Sequence, residues 1–302
     1  MLRLIPSAAL TCLVVLALPP ARTVADPALP PVVRAVDLSR VVEGSGPMLV
    51  IVHGGWGDQR SFSRAAPILA ERSTVVRVSL RLHWPNPWPA SEREAIASYR
   101  AQVHVADLVA LIEKLGRFPV DLLGHSYGGA VAALLARSRP DLIRKLVLVE
   151  PALYSLWPSC PGGEEYAQGL AASRKKMRAK IDSGQDPVAV VRAMYDDERP
   201  GTFDSFPEWR RQILIDNART TAPLFANSLL SEPFGCAEAQ RMTMPVLLVE
   251  GQKTSPGMRA IGKRLLECLP DSRRAVLPNA GHTIQFDAPE LMAVVVANFL
   301  AR

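Results

Sequence analysis

The residues of this chain that could carry chemistry centre on Ser126, which stands between Gly124 and Gly128 in a Gly-x-Ser-x-Gly pattern. This pattern is typical of a nucleophile elbow, a turn so tight that the positions around the serine must be nearly free of side chain. A serine hydroxyl is a poor nucleophile near neutral pH unless an imidazole accepts its proton. Ser126 is therefore a candidate for nucleophilic catalysis, although a glycine-rich turn with an accidental serine has the same pattern.

The segments on either side of Ser126 favour the catalytic interpretation. Residues 120–124 are an apolar run that predicts a strand, and residues 129–135 are small and apolar, which predicts a closely packed helix. A nucleophile elbow requires this order of strand, serine and helix. The N-terminus of the helix would then lie beside the serine, where it stabilises developing negative charge.

Strands and helices alternate along most of the remaining chain. Apolar runs at Met48–Val52, Ile143–Val149 and Pro245–Gly251 predict strands that are buried on both faces. Weak alternation over 31–44 is consistent with two edge strands. Residues 61–72 predict a helix. Only helical patterns are found over 152–241.

On these residues the chain resembles the α/β-hydrolase family. The resemblance implies an α/β fold, in which a mostly parallel eight-stranded sheet is flanked by helices and carries a helical cap insertion. The core is expected at 26–151 and 242–302, and the cap at 152–241.

The resemblance also implies a catalytic triad. The family keeps its general base in the loop after the last strand, where this chain has His282. In most relatives the acid lies three residues past the glycine that ends the seventh strand, but that position is Thr254 here, which has no carboxylate. Some branches place the acid after the sixth strand, where Glu150 stands. We therefore assign the catalytic roles to Ser126, Glu150 and His282.

Three alternatives for the acid remain open. In the first, Glu150 is not catalytic and forms a structural salt bridge. Glu250, inside the seventh strand, and Asp287, five residues past His282, are rival acids. We expect Glu250 to point along the face of its own strand and Asp287 to cap the last helix.

The family's oxyanion hole predicts roles for two backbone N–H groups, those of Gly55 and Tyr127. Without the family context, the segment containing Gly55 is simply a glycine-rich turn. Trp56, Trp84 and Trp157 are the predicted substrate-binding residues. Trp84 lies in a proline-rich loop and could equally cover the edge of the sheet.

Composition narrows the class of partner. The chain has 302 residues, 48% of them hydrophobic and 21% charged, as expected of a globular protein. Its net charge of +6 is spread along the chain without an aromatic-interleaved basic patch, so we expect a small-molecule substrate and no nucleic acid. We expect no cofactor and no metal, since the five histidines and four cysteines form no recognisable ligand pattern. The oligomeric state stays open.

The cysteines predict one disulfide. Cys12 lies in a candidate signal peptide, which leaves Cys160, Cys236 and Cys268. Cys160 and Cys236 lie near the two ends of the predicted cap, and we expect them to be bridged. Cys268, on a helix beside the sheet, is expected to be a lone buried thiol.

Residues 1–25 have the layout of a secretory signal peptide: a positive start, an apolar run and small residues at the end. We expect cleavage near Ala25, export to the periplasm or beyond, and no stable membrane insertion of the mature chain. An uncleaved anchor is the alternative.

The function expected from these features is hydrolysis of an ester or related acyl bond in a small apolar substrate through an acyl-enzyme on Ser126. Carbon–carbon bond hydrolysis, lactone hydrolysis and haloperoxidase-like chemistry also occur on this fold. Haloalkane dehalogenase and epoxide hydrolase chemistry is disfavoured, because those relatives have an aspartate at the position of Ser126. A non-catalytic binding protein is the alternative from another class, and the absence of an acid at position 254 is its only support.

Overall fold

A twisted sheet runs through the part of the chain that the computed structural model describes, residues 35–197, 199–227 and 233–302. Its seven strands are β1 (Arg40–Glu43), β2 (Met48–Val52), β3 (Thr74–Val78), β4 (Val120–His125), β5 (Ile143–Val149), β6 (Val246–Gly251) and β7 (Ser272–Leu277). The strand order is β1-β3-β2-β4-β5-β6-β7. Only β1 is antiparallel to its neighbour.

The two faces of the sheet bury separate hydrophobic cores. Along β2, Val50 and Val52 pack on one face, and Leu49 and Ile51 pack on the other. Successive side chains of a strand point to opposite faces, so a strand covered on both sides must be apolar throughout. All residues of β2 and β4 are accordingly buried.

Helices cover both faces and also fill the segment between β5 and β6. The core helices are α1 (Ala66–Ala70), α2 (Glu92–Ser98), α3 (Ala101–Leu115), α4 (Ser126–Ser138), α11 (Pro256–Cys268), α12 (Ile284–Asp287) and α13 (Pro289–Ala301). The segment 152–241, which we call the helical insert, contains α5 (Gly163–Asp182), α6 (Pro187–Asp196), α7 (Thr202–Ser205), α8 (Glu208–Asn217), α9 (Thr221–Ala226) and α10 (Cys236–Ala239). Short 3-10 helices lie at Pro140–Leu142, Tyr154–Ser159 and Ala218–Thr220. The described residues of the insert contain no strand.

The predicted fold class is confirmed, with two local differences. The described residues form seven strands rather than eight, because segment 31–44 contributes only β1 and residues 31–34 lie outside the described part. The helix expected near 61–72 is reduced to Ala66–Ala70. Pro67 explains its late start, since proline lacks an N–H and suits only the first turn of a helix.

The disulfide prediction was wrong. Cys236 is bridged to Cys268, with their Cα atoms 5.0 Å apart, and Cys160 is a free thiol. Cys160 Sγ instead lies 3.3 Å from the carbonyl oxygen of Leu156. The bridge forms because α10 packs against α11, which brings the end of the insert onto the helix that carries Cys268. Chain order alone does not reveal this packing.

The predicted signal peptide, residues 1–25, lies outside the described residues. Within the described ranges, no helix combines the length and the apolar character needed to cross a membrane.

Candidate active site

Ser126 stands at a sharp turn between β4 and α4. The strand ends at His125 and the helix begins at Ser126, whose φ of 50° lies in the left-handed region. That conformation is strained for a residue with a side chain and holds the hydroxyl out of the turn. A Cβ atom on Gly124 would lie 2.4 Å from the carbonyl oxygen of Gly128, so the turn excludes any larger residue at position 124.

A chain of hydrogen bonds runs from Ser126 to a buried carboxylate. His282 Nε2 lies 2.9 Å from Ser126 Oγ, and His282 Nδ1 lies 3.3 Å from Glu150 Oε2. His282 comes from the loop between β7 and α12, whereas Glu150 directly follows β5. The two side chains meet because parallel strands present their carboxyl ends at one edge of the sheet.

Glu150 is held by donors from the neighbouring strand. Its Oε1 accepts a hydrogen bond from the Gly251 N–H at 2.8 Å, and its Oε2 accepts one from Thr254 Oγ1 at 2.5 Å. Glu150 is 2% exposed and has a left-handed φ of 47°. Thr254, the position at which the resemblance led us to expect an acid, therefore donates a hydrogen bond to the carboxylate that follows β5.

The two rival acids make other contacts. Glu250 forms an ion pair with Arg274 at 2.5 Å, and burial raises the pKa of its carboxyl group. Asp287 accepts a hydrogen bond from the Gly281 N–H at 3.0 Å. Its side chain makes no capping hydrogen bond to α13, contrary to expectation. Within the described residues, the carboxylate hydrogen-bonded to His282 is that of Glu150.

The glycine-rich loop after β2 packs against the serine turn. A Cβ atom on Gly54 would lie 3.2 Å from the Cβ atom of Ser126. His53 supports this loop: its Nε2 accepts a hydrogen bond from the Leu80 N–H, so its Nδ1 carries the proton and donates to the carbonyl oxygen of Gly54. Gly55, from the same loop, lines the cavity above Ser126.

Tyr127, the other predicted oxyanion residue, lies in the first turn of α4 and also lines this cavity. Backbone N–H groups in the first turn of a helix point outwards along the helix axis. Gly55 and Tyr127 therefore line the same cavity as Ser126, and their roles as oxyanion donors stay a prediction.

His125 has a structural part in the site. Its Nε2 lies 2.9 Å from the carbonyl oxygen of His282, and Gln285 Nε2 lies 3.3 Å from its Nδ1. Burial, and secondarily the proximity of His282, lowers the pKa of His125 to about 3, so its ring is neutral. A neutral ring that bonds the backbone of His282 fixes the loop that carries the imidazole.

A cavity of about 840 Å³ opens over Ser126 and His282. Core residues form its floor, and the helical insert supplies much of its wall. Its apolar and aromatic lining includes Trp56, Tyr154, Leu170, Met194, Tyr195, Phe206, Leu214, Leu224, Phe225 and Phe286. The shape and lining suit a small organic substrate.

Of the three predicted substrate-binding tryptophans, the structure brings only Trp56 to the cavity. Trp84 lies outside the lining and packs under the guanidinium of Arg60, whose central carbon is 3.8 Å from the ring centroid. Trp157 is buried in the core, and its Nε1 donates to the carbonyl oxygen of Gly257 on α11. The structure therefore does not bring Trp84 or Trp157 to the cavity: the Trp157 indole is buried by packing, whereas Trp84 is 39% exposed.

Comparison with known proteins identifies the family. The family model described as the alpha/beta hydrolase family matches residues 49–295. The chain belongs to this family.

Named relatives of this alpha/beta hydrolase include lipases and esterases. This chain is 28% identical over 269 residues to an sn-1-specific diacylglycerol lipase of Mus musculus. The matched region covers 84% of this chain and 81% of the relative. Among solved structures, a bromoperoxidase from Bacillus anthracis has a TM-score of 0.72 at 20% identity, with 88% and 95% of the two chains covered. An esterase from Exiguobacterium antarcticum has a TM-score of 0.70 at 19% identity, with 88% and 96% covered. At these identities the solved structures share the fold.

Several residues of the site carry no local sequence pattern. Thr254 donates to Glu150 because β5 pairs with β6, and no local sequence pattern predicts this hydrogen bond. Arg210 and Phe206 line the cavity from the insert, where the sequence shows only helical periodicity. Within the described residues, no group of three or more His, Cys, Asp or Glu side chains could hold a metal ion.

Proposed function

We propose that this alpha/beta hydrolase cleaves an ester or related acyl bond of a small substrate through a covalent acyl-enzyme on Ser126. The observation that carries the proposal is the continuous set of hydrogen bonds from Ser126 through His282 to Glu150. A nucleophile, a base and an orienting acid in that arrangement are the parts that acyl transfer needs.

In the first half-reaction, Ser126 Oγ attacks the acyl carbon while His282 Nε2 accepts the hydroxyl proton. Glu150 holds His282 Nδ1–H and stabilises the imidazolium that forms. When the tetrahedral intermediate collapses, the bond to the alcohol oxygen breaks and His282 gives its proton to that oxygen. The alcohol leaves, and the acyl group remains bonded to Ser126.

In the second half-reaction, water replaces the alcohol. His282 accepts a proton from the water as its oxygen attacks the acyl carbon. Collapse of this second intermediate breaks the bond to Ser126 Oγ, which regains a proton from His282. The carboxylic acid is released and the enzyme returns to its starting state.

The negative charge on the intermediate's oxygen needs preorganised donors. The backbone N–H groups of Gly55 and Tyr127 are the proposed donors, because both residues line the cavity with Ser126. The N-terminus of α4 adds a favourable electrostatic contribution at the same place.

Substrate size is limited by the cavity. A volume of about 840 Å³ with a largely aromatic and aliphatic wall suits a small acyl ester with an apolar body. Relatives named as a diacylglycerol lipase and a putative esterase/lipase support ester hydrolysis.

A fluorophosphonate probe tests the nucleophile. The native protein should be labelled on one serine, and Ser126→Ala should abolish both the labelling and the hydrolysis of para-nitrophenyl esters. The exposed Ser183→Ala is a matched control that should retain both. If the native protein resists the probe and hydrolyses no ester, a non-catalytic binding role replaces the proposal.

We further propose that the protein is exported, with cleavage near Ala25. The charged, apolar and small-residue sections of segment 1–25 support this proposal. Intact-mass measurement on the periplasmic or secreted fraction should show a chain that begins near Asp26. Recovery of a chain with an intact Met1 from that fraction would contradict it.

A further inference from the structure

One wall of the cavity carries a buried arginine. Arg210 lies on α8, is 8% exposed and lines the cavity. Its guanidinium packs between two aromatic rings, with its central carbon 3.6 Å from the Phe206 centroid and 4.7 Å from the Phe286 centroid. These contacts hold the planar group in one orientation while leaving its charge poorly solvated.

The charge of Arg210 is only partly compensated. Its Nη2 donates to Thr283 Oγ1 at 3.2 Å, and its buried Nε has no hydrogen-bond partner within the described residues. The nearest carboxylate oxygen is on Asp287, 3.9 Å from Nη1, which is too far for a hydrogen bond. Burial lowers the pKa of the Arg210 guanidinium, against the opposing effects of nearby Tyr195 and Asp287 and of a side-chain hydrogen bond with Tyr195. A buried cation in this state favours an additional anion beside it.

Asp287 is poorly placed to neutralise Arg210. Its Oδ2 accepts a hydrogen bond from the Gly281 N–H at 3.0 Å, and Thr283 Oγ1 lies 3.3 Å from its Oδ1. Its side chain is also 28% exposed, so water screens its charge.

The other charged groups of the lining leave the cavity positive. Its described residues include three arginines, Arg174, Arg199 and Arg210, and two aspartates, Asp197 and Asp287. Asp197 forms an ion pair with Lys176, which lies outside the lining. Arg174 donates to backbone carbonyl oxygens, including that of Asn227 at 2.9 Å. Positive charge therefore exceeds negative charge on this wall.

Arg210 also lies close to the proposed reaction centre. The residue to which it donates, Thr283, is the chain neighbour of His282, and His282 Nε2 lies 2.9 Å from Ser126 Oγ. A row of aromatic rings leads along the wall to Arg210. The centroids of Phe225 and Trp56 are 6.1 Å apart, those of Trp56 and Tyr195 are 6.4 Å apart, and those of Tyr195 and Phe206 are 5.2 Å apart. These rings give the wall beside Arg210 an apolar surface that suits the hydrocarbon part of a substrate.

We infer that Arg210 binds a carboxylate of the substrate, so that the enzyme prefers esters carrying a carboxylate within a few bonds of the cleaved acyl group. A guanidinium matches a planar carboxylate with two parallel hydrogen bonds. This inference rests on the proposed acyl-ester hydrolysis and names its substrate class. The carboxylate belongs either to the acyl group, as in a monoester of a dicarboxylic acid, or to the alcohol, as in an acylated hydroxy acid.

Two matched pairs of esters test the preference and distinguish the sources. For the acyl side, mono-para-nitrophenyl succinate is compared with para-nitrophenyl isocaproate, which has a neutral branched group in place of the carboxylate. For the alcohol side, the acetyl ester of β-hydroxypropionate is compared with isoamyl acetate. In at least one pair, kcat/KM should favour the anionic ester by about 10- to 100-fold, as expected for hydrogen bonds to a charged group.

Arg210→Met should reduce that ratio to about one, chiefly by raising KM for the anionic ester. Arg178→Met is the control, because Arg178 pairs with Asp182 on α5, its side chain is 43% exposed and it does not line the cavity. That control should keep the native ratio. A native ratio at or below one in both pairs, or an unchanged ratio in Arg210→Met, would overturn the inference.

A binding measurement decides the matter if Arg210→Met does not fold or if no ester is hydrolysed. Succinate should raise the Tm of Ser126→Ala protein at constant ionic strength, whereas the neutral succinamide should not. Equal effects of the two compounds, or no effect of either, would rule out the carboxylate site. Succinate binding in a protein that hydrolyses no ester would instead refute the acyl-enzyme proposal alone.

Discussion

At the scale of single residues, the acid that orients His282 can follow either of two neighbouring strands, because what matters is the distance of its carboxylate from the imidazole. Glu150 follows β5 and Thr254 follows β6, and the two strands are paired in parallel from Leu146 to Val149. Their carboxyl ends therefore lie side by side, and a carboxylate from either can approach His282 Nδ1. Here Glu150 supplies it, and Thr254 Oγ1 donates a hydrogen bond to it.

Replacing Glu150 by glutamine should lower kcat for ester hydrolysis by about 10³ to 10⁴, because a neutral amide neither stabilises the imidazolium nor enforces the required tautomer. Circular dichroism and thermal unfolding should show that the variant is folded. Glu250→Gln is the matched control, since Glu250 pairs with Arg274 and should affect turnover far less. Near-native turnover in Glu150→Gln beside an inactive Glu250→Gln would move the acid to Glu250.

At the scale of elements, the serine turn depends on the close approach of α4 to the loop after β2. A Cβ atom on Gly128 would lie 2.2 Å from the carbonyl oxygen of His53 and 2.7 Å from that of Val52. Backbone atoms cannot move aside as the end of a side chain can, so the absence of a side chain at Gly128 sets the distance between helix and loop. The same loop carries Gly54, where a Cβ atom would lie 3.2 Å from Ser126 Cβ, and Gly55, which lines the cavity with Ser126.

Gly128→Ala should therefore lower the free energy of unfolding by at least about 1–3 kcal/mol. It should also reduce the turnover of the ester. Gly169→Ala, in the exposed part of α5, is the matched control, because a Cβ atom there meets nothing within 4 Å. Alanine is the better helix former by about 1 kcal/mol, so this control should be neutral or stabilising. Chemical denaturation and ester hydrolysis measure both effects, and a Gly128→Ala protein with native stability and turnover would contradict the packing argument.

At the scale of the whole molecule, four buried histidines make stability depend on pH. Burial lowers the pKa of His53 and of His83, and it lowers the pKa of His104 and of His125 to about 3. The unfolded chain takes up protons on these rings as the pH falls below about 6.5, whereas in the folded chain burial delays protonation to lower pH, near pH 3 for His104 and His125. Their stabilising contribution is therefore complete above pH 6.5 and is lost progressively below it.

The free energy of unfolding should fall by about 1.4 kcal/mol per pH unit for each histidine that stays neutral in the folded protein, between pH 6.5 and 4.5. Denaturant unfolding at several pH values measures this slope. His104→Asn is a suitable variant, because His104 contacts Tyr127 through Nδ1, the atom that an asparagine side chain best mimics. Its slope should be smaller by about 1.4 kcal/mol per pH unit. Equal slopes in the two proteins would show that folding does not lower the pKa of His104.

The sequence by itself determined the features that arise from local patterns. The apolar runs predicted the strands β2, β4, β5 and β6, because a strand buried on both faces must be apolar at every position. The small residues around Ser126 predicted the strained turn, because only they fit beside it. The family resemblance then pointed to His282 and Glu150, which the structure brings into one set of hydrogen bonds with Ser126.

Only the tertiary structure decided the contacts that depend on how the helical insert packs. Cys236 met Cys268 rather than Cys160, and Trp157 turned into the core rather than towards the cavity. Arg210 donates a hydrogen bond to Thr283, the chain neighbour of His282, although Arg210 and His282 are far apart in the chain. Helical periodicity determines which face of a helix is apolar, but several helices with similar faces can pack in many ways. The positions of these side chains therefore follow from the packing of the whole molecule.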